Sequence, residues 1–322
     1  MNAAVTGATG FVGGHLVEAL RRRGDSVACL VRTASRAAAL RELGCSVVEG
    51  CLADARALER MVEGCEAVFH VAGTLAGRSD ADFLPVNRDA TERLAGVCQQ
   101  LGVRRFLYVS SLAVTGPAER GRPVDESTTP RPLTPYGRSK RAGEDAVRAS
   151  GVRFTIVRPP VVYGPRDRQL LRLFRLARHR LMPVLGDGRQ ELSLVHAADL
   201  ADALVAATAS PRAEGGTYHA AHPAVVTQEE LARAVARAVG TRARTIRLPG
   251  PVVPPLLFLT GAAARLAGRD TVLSPNKAAE LLAPAWTCSS GSLARDAGWR
   301  ARIALDVGLT ETARWYTAAG WL

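Results

Sequence analysis

The sequence predicts an α/β protein: a parallel, doubly wound sheet, with a smaller α+β region after it. Three observations predict this. The first third alternates short apolar or β-branched runs with amphipathic helical stretches; a glycine-rich turn joins the first run to the first helix; and the alternation weakens from about Gly164. At 322 residues, 47% hydrophobic and 22% charged, the chain can build one large or two interlocked domains, and disordered, fibrous and repeat architectures are excluded.

Taken in order, Asn2 to Thr6 is a strand, Phe11 to Arg23 a helix and Ser26 to Val31 a strand, which together make a βαβ unit. A helix near Arg36 to Leu43, a strand at Ser46 to Glu49, a helix near Ala55 to Val62 and a strand at Ala67 to Val71 continue the pattern. A longer helix follows from about Phe83 to Leu101, then the strand Arg105 to Ser110. Beyond a Pro- and Gly-rich loop at 116–135 come a helix from Tyr136 to Ala149, the strand Phe154 to Val157 and the turn Arg158-Pro159-Pro160. Leu181 to Val195, with Gly186-Asp187-Gly188 at its centre, reads as a hairpin, and a helix runs from Ala197 to Ala209. Thr227 and Glu230 form a capping-box start for a helix to Val239. Leu248 to Leu266 contains four prolines and Arg265, so it is too short and broken to span a bilayer. It reads as a substrate-covering or core helix, with a weak membrane-surface contact as the alternative. The expected division is a dinucleotide-binding unit over 1–165, to which about 192–224 returns, and a substrate unit from 166–191 and 225–322.

The charge sum, 42 Lys+Arg minus 30 Asp+Glu, is +12. The cations are spread along the chain, with clusters such as Arg21-Arg22-Arg23 at helix ends where they suit the helix dipole. No basic stripe interleaved with aromatics appears, so a nucleic-acid partner is not expected. Lys140 and Lys277 are the only lysines, and a lysine kept amid arginines is a candidate for work a guanidinium cannot do. The six cysteines show no metal spacing and read as small core hydrophobes in a reducing compartment. No secretory signal opens the chain, so the expectation is a cytoplasmic protein without a metal.

Four places carry chemistry. Thr6-Gly7-Ala8-Thr9-Gly10-Phe11-Val12-Gly13 lies between the first strand and first helix, where backbone N–H groups and the helix dipole can bind a pyrophosphate. The second strand ends in Arg32 without a carboxylate, so Arg32, with Arg36, favours the 2′-phosphate of NADP(H) over NAD. Tyr136-Gly137-Arg138-Ser139-Lys140 puts a phenol and an ammonium one turn apart on a helix, where the ammonium is expected to lower the phenol pKa for acid-base work. Ser110-Ser111 ends the fifth strand at the carboxyl edge, within reach of a substrate oxygen. His196 to Asp199 invites a metal assignment, but helix capping and packing account for it better.

These residues resemble the extended short-chain dehydrogenase/reductases: TGATGFVGGH from Thr6, HVAG from His70, YVSSLAVTG from Tyr108, YGRSK from Tyr136 and RPPVVYGP from Arg158. The resemblance runs over nearly the whole chain and is closest in look to the 3β-hydroxysteroid dehydrogenase and dihydroflavonol reductase branch. It implies a Rossmann domain with a smaller C-terminal substrate domain, Tyr136 as catalytic acid-base, Lys140 on the nicotinamide ribose and Ser111 as substrate-orienting hydroxyl. It further implies cofactor contacts at Gly7, Thr9, Gly10, Phe11, Val12, Gly13, Leu52, Val71, Ala72, Gly73, Ser110, Pro159, Val161 and Val162, and Asn87 as the family's helix asparagine. A homodimer through the helices near 85–101 and 136–149 is also implied.

The chain departs from the pattern in places. Cys51 stands where relatives place an aspartate on the adenine, and Thr115 replaces a tyrosine. Members acting on nucleotide sugars carry asparagine and arginine where this chain has Val161 and Leu192, and neither apolar residue can hold a diphosphate. The expected function is therefore an NADP(H)-dependent interconversion of a secondary alcohol and a ketone on a steroid-like, terpenoid, flavonoid-like or 3-oxoacyl substrate. A nucleotide-sugar epimerase or dehydratase is the first alternative and a non-catalytic NADP-binding regulator the second.

Overall fold

The structure, a computed structural model, describes residues 1–33, 35, 37–266 and 277–322, with residues 260–266 described by backbone only. Its strands are β1 (Asn2–Thr6), β2 (Ser26–Val31), β3 (Ser46–Glu49), β4 (Ala67–His70), β5 (Arg105–Val109), β6 (Phe154–Arg158) and β7 (Val161–Tyr163). There follow β8 (Leu181–Leu185), β9 (Glu191–His196), β10 (Thr217–His219), β11 (Val225–Thr227), β12 (Arg244–Leu248) and β13 (Ala285–Trp286). The helices of the first half are α1 (Phe11–Arg22), α2 (Ala38–Glu42), α3 (Ala55–Val62), α4 (Asp80–Leu84), α5 (Ala90–Gln100) and α6 (Pro135–Ala149). Those of the second half are α7 (Leu171–Arg178), α8 (Ala197–Ala209), α9 (Gln228–Ala238), α10 (Val253–Leu266), α11 (Ala278–Leu282), α12 (Gly291–Ala297) and α13 (Leu305–Ala318).

Seven strands form the central sheet in the order β10-β6-β5-β4-β1-β2-β3, with every neighbouring pair parallel. Their apolar runs are buried because helices cover both faces. On one face Leu16 and Leu20 of α1 and Leu200 and Leu204 of α8 pack on Val5, Phe69 and Leu107. On the other, Leu58 and Met61 of α3, Leu94 and Cys98 of α5 and Val147 of α6 pack on Val68, Phe106 and Ile156. Each such side chain contributes about 1.5–3 kcal/mol by leaving water. Strand order reverses between β1 and β4, so the carboxyl ends of these two strands open the crevice in which open α/β sheets bind ligands.

A third core, with Phe174, Val184, Val235, Leu309 and Tyr316, lies under α7, α9 and α13. It packs on the smaller sheet of β11, β9, β13 and β7, while β8 pairs with β12. The expected hairpin over 181–195 is therefore overturned: β8 and β9 belong to different sheets. Gly186 and Gly188 take positive φ, Asp187 pairs with Arg120, and the link swings β9 away from β8. Pro183, lacking an N–H, suits a strand paired on only one side, here with β12. The helix expected from about Phe83 starts earlier, at Asp80, behind a Ser79–Asp82 capping box, and passes through a π turn at Pro85–Asp89 before α5. Cys29, Cys45, Cys98 and Cys288 are buried as expected, but Cys51 is exposed and Cys65 only half-buried, since both sit at the ends of short elements. No described helix is long and apolar enough to cross a membrane.

Candidate active site

Strand ends build the crevice. After β1 the backbone turns through Gly7 at φ +74, Gly10 N–H donates to the Gly7 carbonyl at 2.9 Å, and α1 starts at Phe11 with neither a side-chain cap nor an acidic residue in its first turn. That leaves a helix N-terminus suited to an anion. The turn is tight: a Cβ on Gly13 would sit 2.1 Å from the Gly7 oxygen, and one on Gly7 would sit 2.8 Å from the Ala72 nitrogen. Gly13→Ala should therefore force the turn apart and abolish binding of a nicotinamide cofactor, read by fluorescence titration with NADPH. Retained affinity would show that the turn is not where the pyrophosphate binds.

The second wall is the segment after β4. His70, fully buried, joins Thr6 Oγ1 at 2.7 Å and Thr91 Oγ1 at 2.9 Å. Thr91 donates to the Asn87 carbonyl, so the network assigns His70 Nε2–H as donor and Nδ1 as acceptor. Burial, with Lys140 adding to it, pushes the His70 pKa down to about 3, so the imidazole is a neutral strut. It ties β1 to β4 and places Val71, Ala72 and Gly73 beside Gly7.

α6 supplies the third wall. Thr134 caps it by accepting from Gly137 N–H at 3.2 Å, and Pro135 occupies its first position. The helix lies close on the sheet because Gly143 has no side chain: a Cβ there would meet the Asn87 oxygen at 2.3 Å and the Tyr108 hydroxyl at 2.4 Å. Asn87, in the π turn, accepts from Thr74 N–H at 2.9 Å and donates to Ser139 Oγ at 3.0 Å, clamping the loop after β4 to α6.

Tyr136, Lys140 and Ser111 come together here. Tyr136 is hydrogen-bonded to the Ser111 side chain, whose Oγ also accepts from Ala113 N–H at 3.1 Å. Lys140, 4% exposed, donates to the Val109 carbonyl at 2.7 Å and stands 4.4 Å from the centroid of the Tyr108 ring. A Cβ on Gly73 would lie 3.5 Å from Lys140 Nζ, which places the lysine at the mouth of the crevice. The expected lowering of the phenol pKa by the ammonium is not found. Burial raises Tyr136 to about 12 against the Ser111 hydrogen bond, and burial also lowers Lys140 to about 7 against the pull of Glu144. Desolvation is the largest cause of both shifts, since both groups are withdrawn from water.

Pro159 and Ser110 are buried at the ends of β6 and β5, and Val161 and Val162 begin β7. The Ser110 hydroxyl is taken by Glu144 at 2.6 Å. Thr9 and Gly10 are exposed at the tip of the glycine turn, with Phe11 and Val12 half-buried behind them. Arg32 and Leu52 follow β2 and β3, apart from the Tyr136 group on the far side of the switch point, and Arg32 is exposed. Arg36 lies outside the described residues. Val161 packs on the apolar cluster containing Leu192. His196 Nδ1 accepts from Ala198 N–H at 3.3 Å, and Asp199 accepts from Arg302 and Ile303 N–H at 3.0 and 2.8 Å, so His196 caps α8 and Asp199 braces the backbone before α13. Thr115 joins His219 at 3.1 Å and accepts from Arg158 at 3.3 Å.

Two clusters escape sequence reasoning. Glu144 and Arg158, on different elements, form a buried bidentate pair behind Ser110. Lys277, just before α11, stands over the Tyr136 ring and pairs with Glu280 of α11, and only the rarity of lysine pointed to Lys277.

Fold and crevice together define an α/β enzyme of the dinucleotide-binding class. The chain belongs to the NAD-dependent epimerase/dehydratase family, whose model matches residues 3–221. It is similar to the ceramide reductase of Caulobacter vibrioides, 38% identical over 99% of this chain and 95% of that protein. It is also similar to the 4-hydroxy-2-methyl-3-oxo-4-farnesyl-3,4-dihydroquinoline-1-oxide ketoreductase of Stigmatella aurantiaca, 31% identical over 68% of this chain and 67% of that protein. In fold it matches the UDP-glucose 4-epimerase of Thermotoga maritima, with a TM-score of 0.79, 21% identity and 99% of each chain covered.

Proposed function

We propose that the chain is an NADP(H)-dependent reductase of a ketone on a long-chain, hydrophobic substrate of the ceramide or 3-oxoacyl kind. The observation that carries this reading is the Tyr136 phenol hydrogen-bonded to Ser111, one turn from the buried Lys140, whose Nζ would lie 3.5 Å from a Cβ on Gly73 at the switch point. The cofactor fits the glycine turn, whose tight backbone leaves no room for a Cβ at Gly7 or Gly13. Gly7 to Gly13 would hold its pyrophosphate, Arg32 its 2′-phosphate, and Val71 to Gly73 with Lys140 its nicotinamide riboside. When bound it supplies a hydride to the carbonyl carbon.

The chain's own residues handle the oxygen. Ser111 donates to the carbonyl oxygen and polarises it, and Tyr136 delivers its proton there. A phenol raised to about 12 is protonated at neutral pH, which suits a donor in the reducing direction. Lys140, charged below about 7, steadies the phenolate that remains. Val161 and Leu192, packed in one apolar cluster, favour a lipid over a nucleotide diphosphate. The relatives named for ceramide and for a farnesylated ketone support the same substrate class. Exposed Val252, Leu256 and Leu259, on the approach to α10 and in it, suit a weak contact with a lipid surface from which such a substrate would come.

The test is consumption of NADPH and NADH against a panel of 3-oxo lipid amides, 3-oxoacyl esters, ketosteroids and UDP-glucose; turnover confined to the sugar nucleotide would overturn the reading. In the same assay, Arg32→Ala should raise KM for NADPH by about ten- to a hundred-fold, the worth of one charge-assisted hydrogen bond, and leave NADH unchanged. An equal change for both cofactors would remove Arg32 as the phosphate ligand.

A further inference from the structure

Forty of the 42 cationic side chains are arginines, and both lysines lie at Tyr136. Lys140 sits on the same helix one turn away. Lys277 comes from the other end of the chain, immediately before α11, and its Nζ stands 5.7 Å from the centroid of the Tyr136 ring. It is held in place. Glu280, one turn on, takes Lys277 Nζ with one carboxylate oxygen and with the other accepts from Thr134 Oγ1 at 2.6 Å. Thr134 is the cap of α6, so the ion pair is anchored to the helix that carries the phenol. α11 is fixed from behind as well: Gln190 Nε2 donates to the carbonyls of Glu280, Leu281 and Ala283, and Trp286 Nε1 to that of Glu280 at 2.7 Å.

Exposed ion pairs generally add little, because holding two long side chains in one geometry costs rotamer entropy. This one is partly shielded, 24% and 12% exposed, and α11 is already ordered by Gln190 and Trp286. Among the described residues Glu280 is the only hydrogen-bond partner of Lys277, and an ammonium has three N–H donors. Among the described residues, therefore, two donors are left for a ligand at the phenol. A compact ammonium can serve a carboxylate and a carbonyl at once from different directions, whereas a planar guanidinium presents its donors in one fork. This gives lysine a reason to survive at this position in so arginine-rich a chain.

We propose that Lys277 is a specificity residue, donating to a second oxygen of the substrate close to the ketone that Tyr136 protonates. The site would then prefer β-oxo amides and β-oxo esters to plain ketones of the same chain length. The inference rests on the reductase reading and deepens it. With the ketone oxygen at Tyr136 and Ser111, a carbonyl two carbons along the chain lies within one functional group's reach of the phenol, which is where Lys277 stands. Phe83 packs its ring against the same phenol, at 6.0 Å between centroids, and helps to fix it in place.

The test compares 3-oxohexadecanamide with 2-pentadecanone, the same chain without its carboxamide, in detergent micelles with NADPH. Wild type should prefer the amide. Lys277→Met should lower kcat/KM for the amide by about ten- to a hundred-fold, chiefly through KM, and leave 2-pentadecanone and NADPH affinity unchanged. Lys277→Gln, which keeps a polar side chain while removing the charge, carries the same expectation in direction and guards against a folding defect in the first variant. An equal fall for both ketones would mean that Lys277 acts only by supporting α6 through Glu280 and Thr134, and would overturn the assignment. So would a preference for the amide that survives in both variants, or a wild type that treats the two ketones alike. A wild type that reduces neither ketone would overturn the reductase reading itself, and the assignment with it.

Discussion

Tyr136→Phe should lower turnover of a ketone substrate by about a hundred- to ten-thousand-fold while leaving NADPH affinity unchanged. The substitution removes only the hydroxyl. Packing of the ring against Phe83 persists, as do the Thr134 cap and Pro135 that start α6, so the helix stays in place. Lys140 keeps its bond to the Val109 carbonyl, which the phenol does not share. What is lost is the proton delivered to the substrate oxygen and the hydrogen bond with Ser111. The pH dependence of the wild type follows from the same geometry. Burial sets Tyr136 at about 12 and Lys140 at about 7, so the donor is present throughout the neutral range, while the cation that steadies the phenolate is lost as pH rises through about 7. Reduction should slow across that limb, and Lys140→Met should be slow on both sides of it. Steady-state rates at saturating cofactor, with a parallel NADPH titration, measure both effects; full turnover in Tyr136→Phe would remove the phenol from the mechanism.

The parts of this site that could be read in the sequence are local. The strand–glycine turn–helix unit at Thr6 to Gly13 and the Tyr136–Lys140 spacing each lie within a few residues, and their geometry follows from φ preference and helix pitch. The position of Arg32 just past the second strand is legible for the same reason. The electrostatics were not legible. Tyr136 and Lys140 are desolvated by long-range packing: α6 lies against Tyr108 and Asn87 because Gly143 permits it, and no pattern in the stretch around Tyr136 reports that approach. Helix pitch accordingly sets Tyr136 and Lys140 one turn apart, while burial moves the phenol pKa up rather than down. The turn at Gly186 to Gly188 failed similarly, since two glycines on either side of an aspartate signal a reversal but do not say which strand lies beyond it; β8 found β12, some sixty residues on.

The Glu144–Arg158 pair is another product of distant packing, and it sets the second large expectation: Glu144→Gln should cost about 3–5 kcal/mol of stability. Glu144 is fully buried and Arg158 is 3% exposed. One carboxylate oxygen accepts from Arg158 Nε at 2.7 Å and Ser110 Oγ at 2.6 Å, and the other from Arg158 Nη2 at 2.6 Å and from Arg148. A neutral amide of the same shape leaves the Arg158 guanidinium buried without a counter-charge, and that penalty exceeds what the pair contributes relative to two apolar residues. Replacing both, as Glu144→Met with Arg158→Met, should accordingly be milder than Glu144→Gln alone. Arg148→Ala, which touches the same carboxylate from a partly exposed position, should change stability by no more than about 1 kcal/mol. Burial pushes the Glu144 carboxyl up, but the hydrogen bonds and charge of Arg158 outweigh it and hold the group below its ordinary value. A folded-state pKa below the unfolded one gives stability that is complete above the unfolded value, about 4.3, and is lost as pH falls through the folded one. Urea denaturation from pH 7 downward should show that acid-side loss in wild type and a smaller one in Glu144→Gln, because the variant has no carboxylate left to protonate. If the two midpoints stayed parallel at every pH and close together at neutrality, the pair would not be the strut that holds α6 to β6 beneath Ser110 and Lys140.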